Sequence, residues 1–262
     1  MNVAKELINI KNFNVIYDVP FYGESALTVR DLITSIGLKK FFNKAGREKL
    51  HLLKDISLTV KEGERLGILG VNGTGKTTLC RHIAGLEGEK NLCNGKVVGI
   101  FNTAIGVMPE LTGRENAKLL VELLYGELSK EEKKDIVDSS LEFSELGKMV
   151  DTPFKVYSKG MMARLFLSVV SSRPSEVLIL DEVFDGADVF FNEKITKRVM
   201  EMISKSGCVL FVSHDNPKLL EVCNRGIVIN NGKIQFDGEI SEAINWYESN
   251  CRPKAIKQDE KV

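Results

Sequence analysis

The sequence carries no surplus of charge: 36 Lys and Arg stand against 36 Asp and Glu in 262 residues. Binding driven by the chain's overall field, as to nucleic acid, is therefore not expected, although a local basic patch can hide inside a zero sum. Cysteine is scarce as well. The five residues, at 80, 93, 208, 223 and 251, are odd in number and show no CxxC pair. That argues against a disulfide framework and a zinc site, and leaves small buried side chains with one exposed thiol near the carboxyl end, in a reducing compartment. A signal segment is missing too, since Lys5 and Glu6 interrupt the first ten residues where an apolar core would stand. No apolar run approaches the ~20 residues that a bilayer-spanning helix needs. A membrane role is then played from the surface. Finally, there is no fixed-period repeat and no low-complexity stretch, and a composition 43% hydrophobic and 27% charged is that of a folded globular chain.

What is present is an alternation of strand-like and helix-like runs, the α/β pattern. Residues 55–60 alternate polar and apolar as a half-buried strand does. The turn Lys61-Glu62-Gly63-Glu64 leads into a strand at 65–71, followed by a helix at 76–84. Buried parallel strands are predicted at 96–101, 177–181 and 208–213. Asn230-Asn231-Gly232 marks a hairpin. Between Pro109 and Ser172 the strand signals stop, and helices are predicted at 114–125, at 130–143 behind a Ser129/Glu132 capping box, and at 161–172. A last helix at 241–249 carries Trp246 and Tyr247 as packing residues, and a polar tail follows at 251–262.

Two motifs carry chemistry. Gly70-Val71-Asn72-Gly73-Thr74-Gly75-Lys76-Thr77 matches G-x-x-x-x-G-K-[ST] and sits between a strand and a helix. Its glycines let backbone amides close around phosphates, and residues Gly70 to Thr78 are the expected nucleotide-binding stretch. Lys76 is placed to reach the β and γ phosphates, and the Thr77 hydroxyl to ligate Mg²⁺. Later, Val177-Leu178-Ile179-Leu180 ends in Asp181-Glu182. Asp181 is the expected outer ligand of Mg²⁺, and Glu182 the carboxylate that polarises the attacking water. The cofactors so implied are ATP and Mg²⁺.

Tyr157-Ser158-Lys159-Gly160-Met161 upstream of that strand, and His214 in Phe211-Val212-Ser213-His214-Asp215 after the next one, complete a set of four motifs in order. With them the chain resembles the ABC ATPase family over roughly residues 5–240. The resemblance implies an ABC ATPase fold: a RecA-like α/β core with an antiparallel β subdomain, and a helical subdomain inserted at about 109–172. One such domain would span 1–250. It further implies a head-to-tail homodimer holding two ATP molecules, in which Ser158 and Gly160 act on the partner's nucleotide, and His214 serves as the switch histidine. An aromatic residue stacks on adenine in this family. Tyr17 is the best-placed candidate, with Tyr22 nearby and packing beneath the sheet as the alternative.

Pro109 to Asn116, the Tyr-Ser-x-Gly-Met signature, and Asp181-Glu182-Val183 running on to Asp188 and Phe191-Asn192-Glu193-Lys194 are similar to ATPase subunits that export O-antigen, capsule or teichoic acid. That implies ATP hydrolysis coupled to moving a lipid-linked glycan through a separate integral membrane permease, from the cytoplasmic face of the inner membrane. A glutamine expected between 101 and 108 is missing, with Asn102 as its candidate replacement. An insertion at about 20–50 includes a helix-spaced run, Ser25–Ile36. Residues 24–49 hold six basic residues (Arg30, Lys39, Lys40, Lys44, Arg47, Lys49) against Glu24, Asp31 and Glu48. Two readings stand for it: a surface that draws an anionic pyrophosphate headgroup toward the permease, or a solvated loop. The rival function is a soluble ABC clamp on nucleic acid or the ribosome, disfavoured by the single cassette and the lack of a coiled-coil arm. A second rival, a nucleotide-gated module without hydrolysis, is disfavoured by Asp181, Glu182 and His214. The length is expected to leave no room for a fused permease or a glycan-binding domain.

Overall fold

The computed structural model describes residues 4–21, 46–88, 92–101, 107–182 and 189–251. The helix predicted at 25–36, most of the basic segment, Tyr22, Asn102, Val183, Asp188 and residues 252–262 lie outside them.

Six strands form one sheet in the order β4-β5-β6-β3-β7-β8. These are β3 (Arg65–Leu69), β4 (Val97–Ile100), β5 (Val177–Asp181), β6 (Cys208–Val212), β7 (Arg225–Asn230) and β8 (Lys233–Glu239). All neighbours are parallel except the β7–β8 hairpin. Every residue of β5 and β6 is buried, as strands covered on both faces require. The hairpin turns at Asn231 and Gly232, both at positive φ (51° and 76°), the conformation that an Asn-Gly pair adopts readily. The strand expected at 65–71 ends at Leu69, where the phosphate loop begins.

Two long strands, β1 (Glu6–Phe21) and β2 (Gly46–Lys61), pair antiparallel as a separate ribbon. Only 55–60 of this ribbon was predicted. The ribbon lies over one face of the sheet, and Leu7, Ile8, Ile10, Leu53 and Ile56 pack with Leu66, Ile68 and helix α1 (Lys76–Ile83) in one apolar cluster. The opposite face is covered by α2 (Gly113–Tyr125), α3 (Lys130–Ser144), α4 (Lys159–Val170), α5 (Val189–Lys205) and α7 (Ile240–Asn250), in a second cluster that includes Phe154, Phe166 and Phe211. The predicted Ser129/Glu132 capping box is present, and Thr112 and Glu115 form another at the start of α2. A short helix, α6 (Asn216–Val222), opens on Asp215 as its N-cap.

Cys80, Cys93, Cys208 and Cys223 are buried and Cys251 is half-buried, with no disulfide among them. Burial pushes the Cys208 and Cys223 thiols up to about 12, which keeps them protonated and inert. Trp246 packs beside Phe236, with ring centres 6.4 Å apart. Among the described residues no helix is long and apolar enough to cross a membrane.

Candidate active site

The site forms where three neighbouring parallel strands end at the same level. Ile68 of β3 and Asp181 of β5 both pair with Val212 of β6, so the phosphate loop, Asp181-Glu182 and Ser213-His214 leave the sheet side by side. This is the carboxyl edge at which α/β sheets bind ligands.

In the phosphate loop, glycine is required at identifiable places. A Cβ on Gly70 would stand 2.4 Å from the Ile229 carbonyl oxygen, and one on Gly75, at φ 96°, would meet Leu53 at 2.7 Å. Gly73, at φ 81°, has open space around it, so its requirement is the left-handed backbone itself. The Thr74 hydroxyl donates to the Val71 carbonyl at 2.9 Å and so tightens the turn. Lys76 is buried, and its Nζ donates to the carbonyls of Gly70 (2.7 Å) and Val71 (3.1 Å). Burial pulls the Lys76 ammonium below its ordinary range, a shift opposed by Glu182 and Asp181.

Asp181 is buried as well, at 6% exposure. Burial raises its carboxyl, and a hydrogen bond with the Thr77 side chain pulls the other way. A carboxylate beside a hydroxyl, next to a loop built for phosphates, is the oxygen donor set that suits Mg²⁺, which takes one or two protein ligands and substrate phosphates rather than a cage. No cluster of three or more His, Cys, Asp or Glu able to hold a metal occurs among the described residues.

Glu182 takes a left-handed backbone, φ 53°, unusual for a residue with a side chain. Its amide is anchored to the Val212 carbonyl at 3.1 Å. This twist separates its side chain from that of Asp181 and brings Oε1 within 3.0 Å of His214 Nε2, both groups about half exposed. A cleft of ≈ 330 Å³ is lined by Leu52, Asn72, Gly73, Gly75, Lys76, Thr77, Thr78 and Glu182. A smaller cavity of ≈ 80 Å³ lies behind His214, bounded by Leu69, Gly70, Ser213, Asn216 and Tyr247. Tyr247 therefore does more than fill the core: it forms part of the wall beside the histidine.

Tyr17 stands on the ribbon at the edge of this region. Its hydroxyl donates to Glu87 at 3.1 Å, and Thr78 and Arg81 of α1 are close enough to influence it. Leu52, across the ribbon, and Glu87 are site residues that the sequence did not reveal. Glu87 follows α1 by a few positions, but only the fold brings it to Tyr17. Ser158 and Gly160 do not line the cleft. They lie at the amino end of α4, where the Ser158 hydroxyl accepts from the Met161 amide at 3.2 Å.

Fold and site together define a phosphate-loop nucleoside triphosphatase. Residues 53–185 match the family described as ABC transporter. The O-antigen export system ATP-binding protein RfbB of Klebsiella pneumoniae is 34% identical over 89% of this chain and 95% of that relative. The teichoic acids export ATP-binding protein TagH of Lactococcus lactis is 35% identical over 79% of this chain but 44% of its own length. An ATP-binding cassette solved as a dimer in a post-hydrolysis state with ADP and Pi superposes with a TM-score of 0.64 at 21% identity, over 89% of this chain and 99% of that one. The chain belongs to the ABC transporter family.

Proposed function

We propose that this chain is the ATP-binding and ATP-hydrolysing subunit of an exporter of lipid-linked polysaccharide. It works as a homodimer beneath a separate membrane permease, at the cytoplasmic face of the inner membrane. The observation that carries the enzymatic part is the convergence of Lys76, Asp181, Glu182 and His214 at the ends of three adjacent strands. The export part rests on relatives named for O-antigen and teichoic acid export. The clamp reading is not favoured by these relatives.

ATP enters the cleft with its phosphates against the loop amides, and its adenine lies toward the ribbon, where Tyr17 offers a ring face. Lys76 exchanges its bonds to Gly70 and Val71 for phosphate oxygens, so its charge is satisfied both before and after binding. Thr77 and Asp181 are the residues that would hold Mg²⁺, which when bound spreads the negative charge of the transferring phosphoryl group. Glu182 orients a water and accepts its proton as the oxygen attacks the γ-phosphorus and the bond to the β–γ bridging oxygen breaks, giving ADP and phosphate. His214, beside it, keeps the carboxylate aimed.

Ser158 and Gly160 serve the nucleotide of the other protomer. Their place outside the chain's own cleft supports this, as does the amino end of α4, where Ser158 and Lys159 are exposed and the helix dipole favours an incoming anion. A γ-phosphate gripped from both sides draws the protomers together, and its loss lets them part. The direct test is export in a strain lacking the chain, restored by the parent and by a Glu182→Gln variant in parallel. Restored glycan export by the parent alone supports the proposal, and export by both removes hydrolysis from the mechanism.

A further inference from the structure

The signature motif begins with Tyr157, a buried residue whose hydroxyl donates to the Met149 carbonyl at 2.7 Å. The ring packs on Phe154, with centres 4.9 Å apart. Its hydroxyl also fills the place where Gly113, the first residue of α2, would carry a side chain: a Cβ there would fall 2.0 Å from Tyr157 Oη and 3.0 Å from Cζ. Gly113 is not at positive φ. Its glycine is thus required chiefly by the tyrosine, with the Val150 carbonyl oxygen 3.2 Å from the same point, and not by its own φ.

Around this contact, the segment 107–113 is tied to the segment 149–157 by an antiparallel set of main-chain bonds. Phe154 donates to the Leu111 carbonyl (2.8 Å), Lys155 to that of Pro109 (2.9 Å), and Gly113 to that of Thr152 (3.3 Å). Asn116, fully buried, clamps the same segment: it accepts from the Met108 amide at 2.7 Å and donates to the carbonyls of Met108, Leu111 and Thr112. Two ion pairs, Glu110–Lys155 and Arg114–Asp151, both at 2.7 Å, span the same junction on the outside. One residue beyond Tyr157, Ser158 caps α4.

We propose that Tyr157 is a positioning residue. Seated on Gly113 and bonded to Met149, it fixes where the Ser158 hydroxyl and the amino end of α4 stand, and makes the stretch that leads into α2 and the signature loop one rigid piece. Displacement at Met108–Leu111 is thereby delivered to Ser158 without slack. This rests on the reading that Ser158 acts on the partner's nucleotide.

The test uses Tyr157→Phe, Gly113→Ala and the double variant. Each is followed by its melting temperature, the affinity of a fluorescent ATP analogue, ATP-driven dimerisation in a Glu182→Gln background, and turnover in the Glu182 background. Tyr157→Phe keeps the ring and loses one hydrogen bond. It should bind the analogue as the parent does, yet dimerise and turn over roughly three- to tenfold less well at temperatures far below its melting point. Gly113→Ala should lose more, and adding Tyr157→Phe should recover part of that loss, because the colliding atom is gone. Parental dimerisation and turnover in Tyr157→Phe, or no recovery in the double variant, overturns the positioning role. Failure of the Glu182→Gln parent to dimerise with ATP overturns instead the two-protomer reading on which the role rests.

Discussion

Glu182 Oε1 and His214 Nε2 lie 3.0 Å apart, joining the end of β5 to the loop after β6. The two residues are 32 positions apart in sequence and meet because Asp181 and Val212 are register partners. Removing the carboxylate charge by Glu182→Gln should leave ATP binding intact and lower turnover roughly 10²- to 10⁴-fold, the usual range for a lost general base. His214→Ala should lower turnover as well, while Glu182 retains its contact with the backbone of β6. Steady-state phosphate release with parallel nucleotide titration checks both. Parental turnover in Glu182→Gln would remove that residue from its role.

Asp181 gives a prediction in which stability and activity move in opposite directions. Burial raises its carboxyl above the ordinary 3.8 in the folded chain. The folded state therefore disfavours the ionised form: the penalty is complete above the raised folded value, fades as pH falls from there toward 3.8, and is gone below 3.8. Asp181→Asn should melt higher than the parent at neutral pH, with the difference shrinking on acidification, while Mg²⁺-dependent turnover is lost. A melting point below the parent's at neutral pH would show that the Thr77 bond outweighs desolvation.

Gly160 offers the reverse separation. An added Cβ meets nothing closer than Ser158 Oγ at 3.9 Å, so the fold has room for it. Alanine is also the better helix former, by roughly 1 kcal/mol in a helix interior and less in the first turn. Gly160→Ala should hold or raise the melting temperature yet cut ATP-driven dimerisation and turnover tenfold or more, since in the proposed dimer the added methyl would stand against the partner's nucleotide. Analytical ultracentrifugation with ATP reads this directly, and undiminished dimerisation would mean that the surface does not meet a second nucleotide.

For Tyr17, the discriminating ligand is one without a base. Base–aromatic stacking contributes ~1–3 kcal/mol, so Tyr17→Ala should weaken ATP binding roughly 5- to 150-fold and leave inorganic tripolyphosphate binding unchanged. Equal losses for both ligands would point to a disturbed ribbon, because the Tyr17–Glu87 bond helps hold the ribbon near the end of α1.

Much of this architecture is readable from the residue pattern. The phosphate loop, the Asp181-Glu182 strand end, the β7–β8 turn and the three helices between 113 and 170 all follow from local signals: fixed spacing, unbroken apolar runs, capping residues. Of the ribbon, only residues 55–60 show a clean strand pattern. Residues 6–17 alternate apolar and polar, but the alternation is shifted by irregular pairing around Ile10 and Phe13, and Asn12 turns to φ 48°. A period of two interrupted in that way looks like neither strand nor helix. Helix α6 went unpredicted although Asp215 and Pro217 mark its start, because seven residues give too little periodicity to register. The contacts of Tyr17 with Glu87 and Tyr157 with Gly113 have no sequence signal at all. They arise from packing between elements far apart in the chain.

One strand, β6, lies between β3, which feeds the phosphate loop, and β5, which ends in Asp181. Neighbouring strands run ~4.8 Å apart, so β3 and β5 are held about 10 Å from each other. The sheet is in this sense a ruler, its spacing set by main-chain hydrogen bonds that side-chain substitutions other than proline leave in place. In the proposed mechanism, changes at Lys76 or Glu182 remove a participant in hydrolysis but not the gap across which phosphate and water face each other.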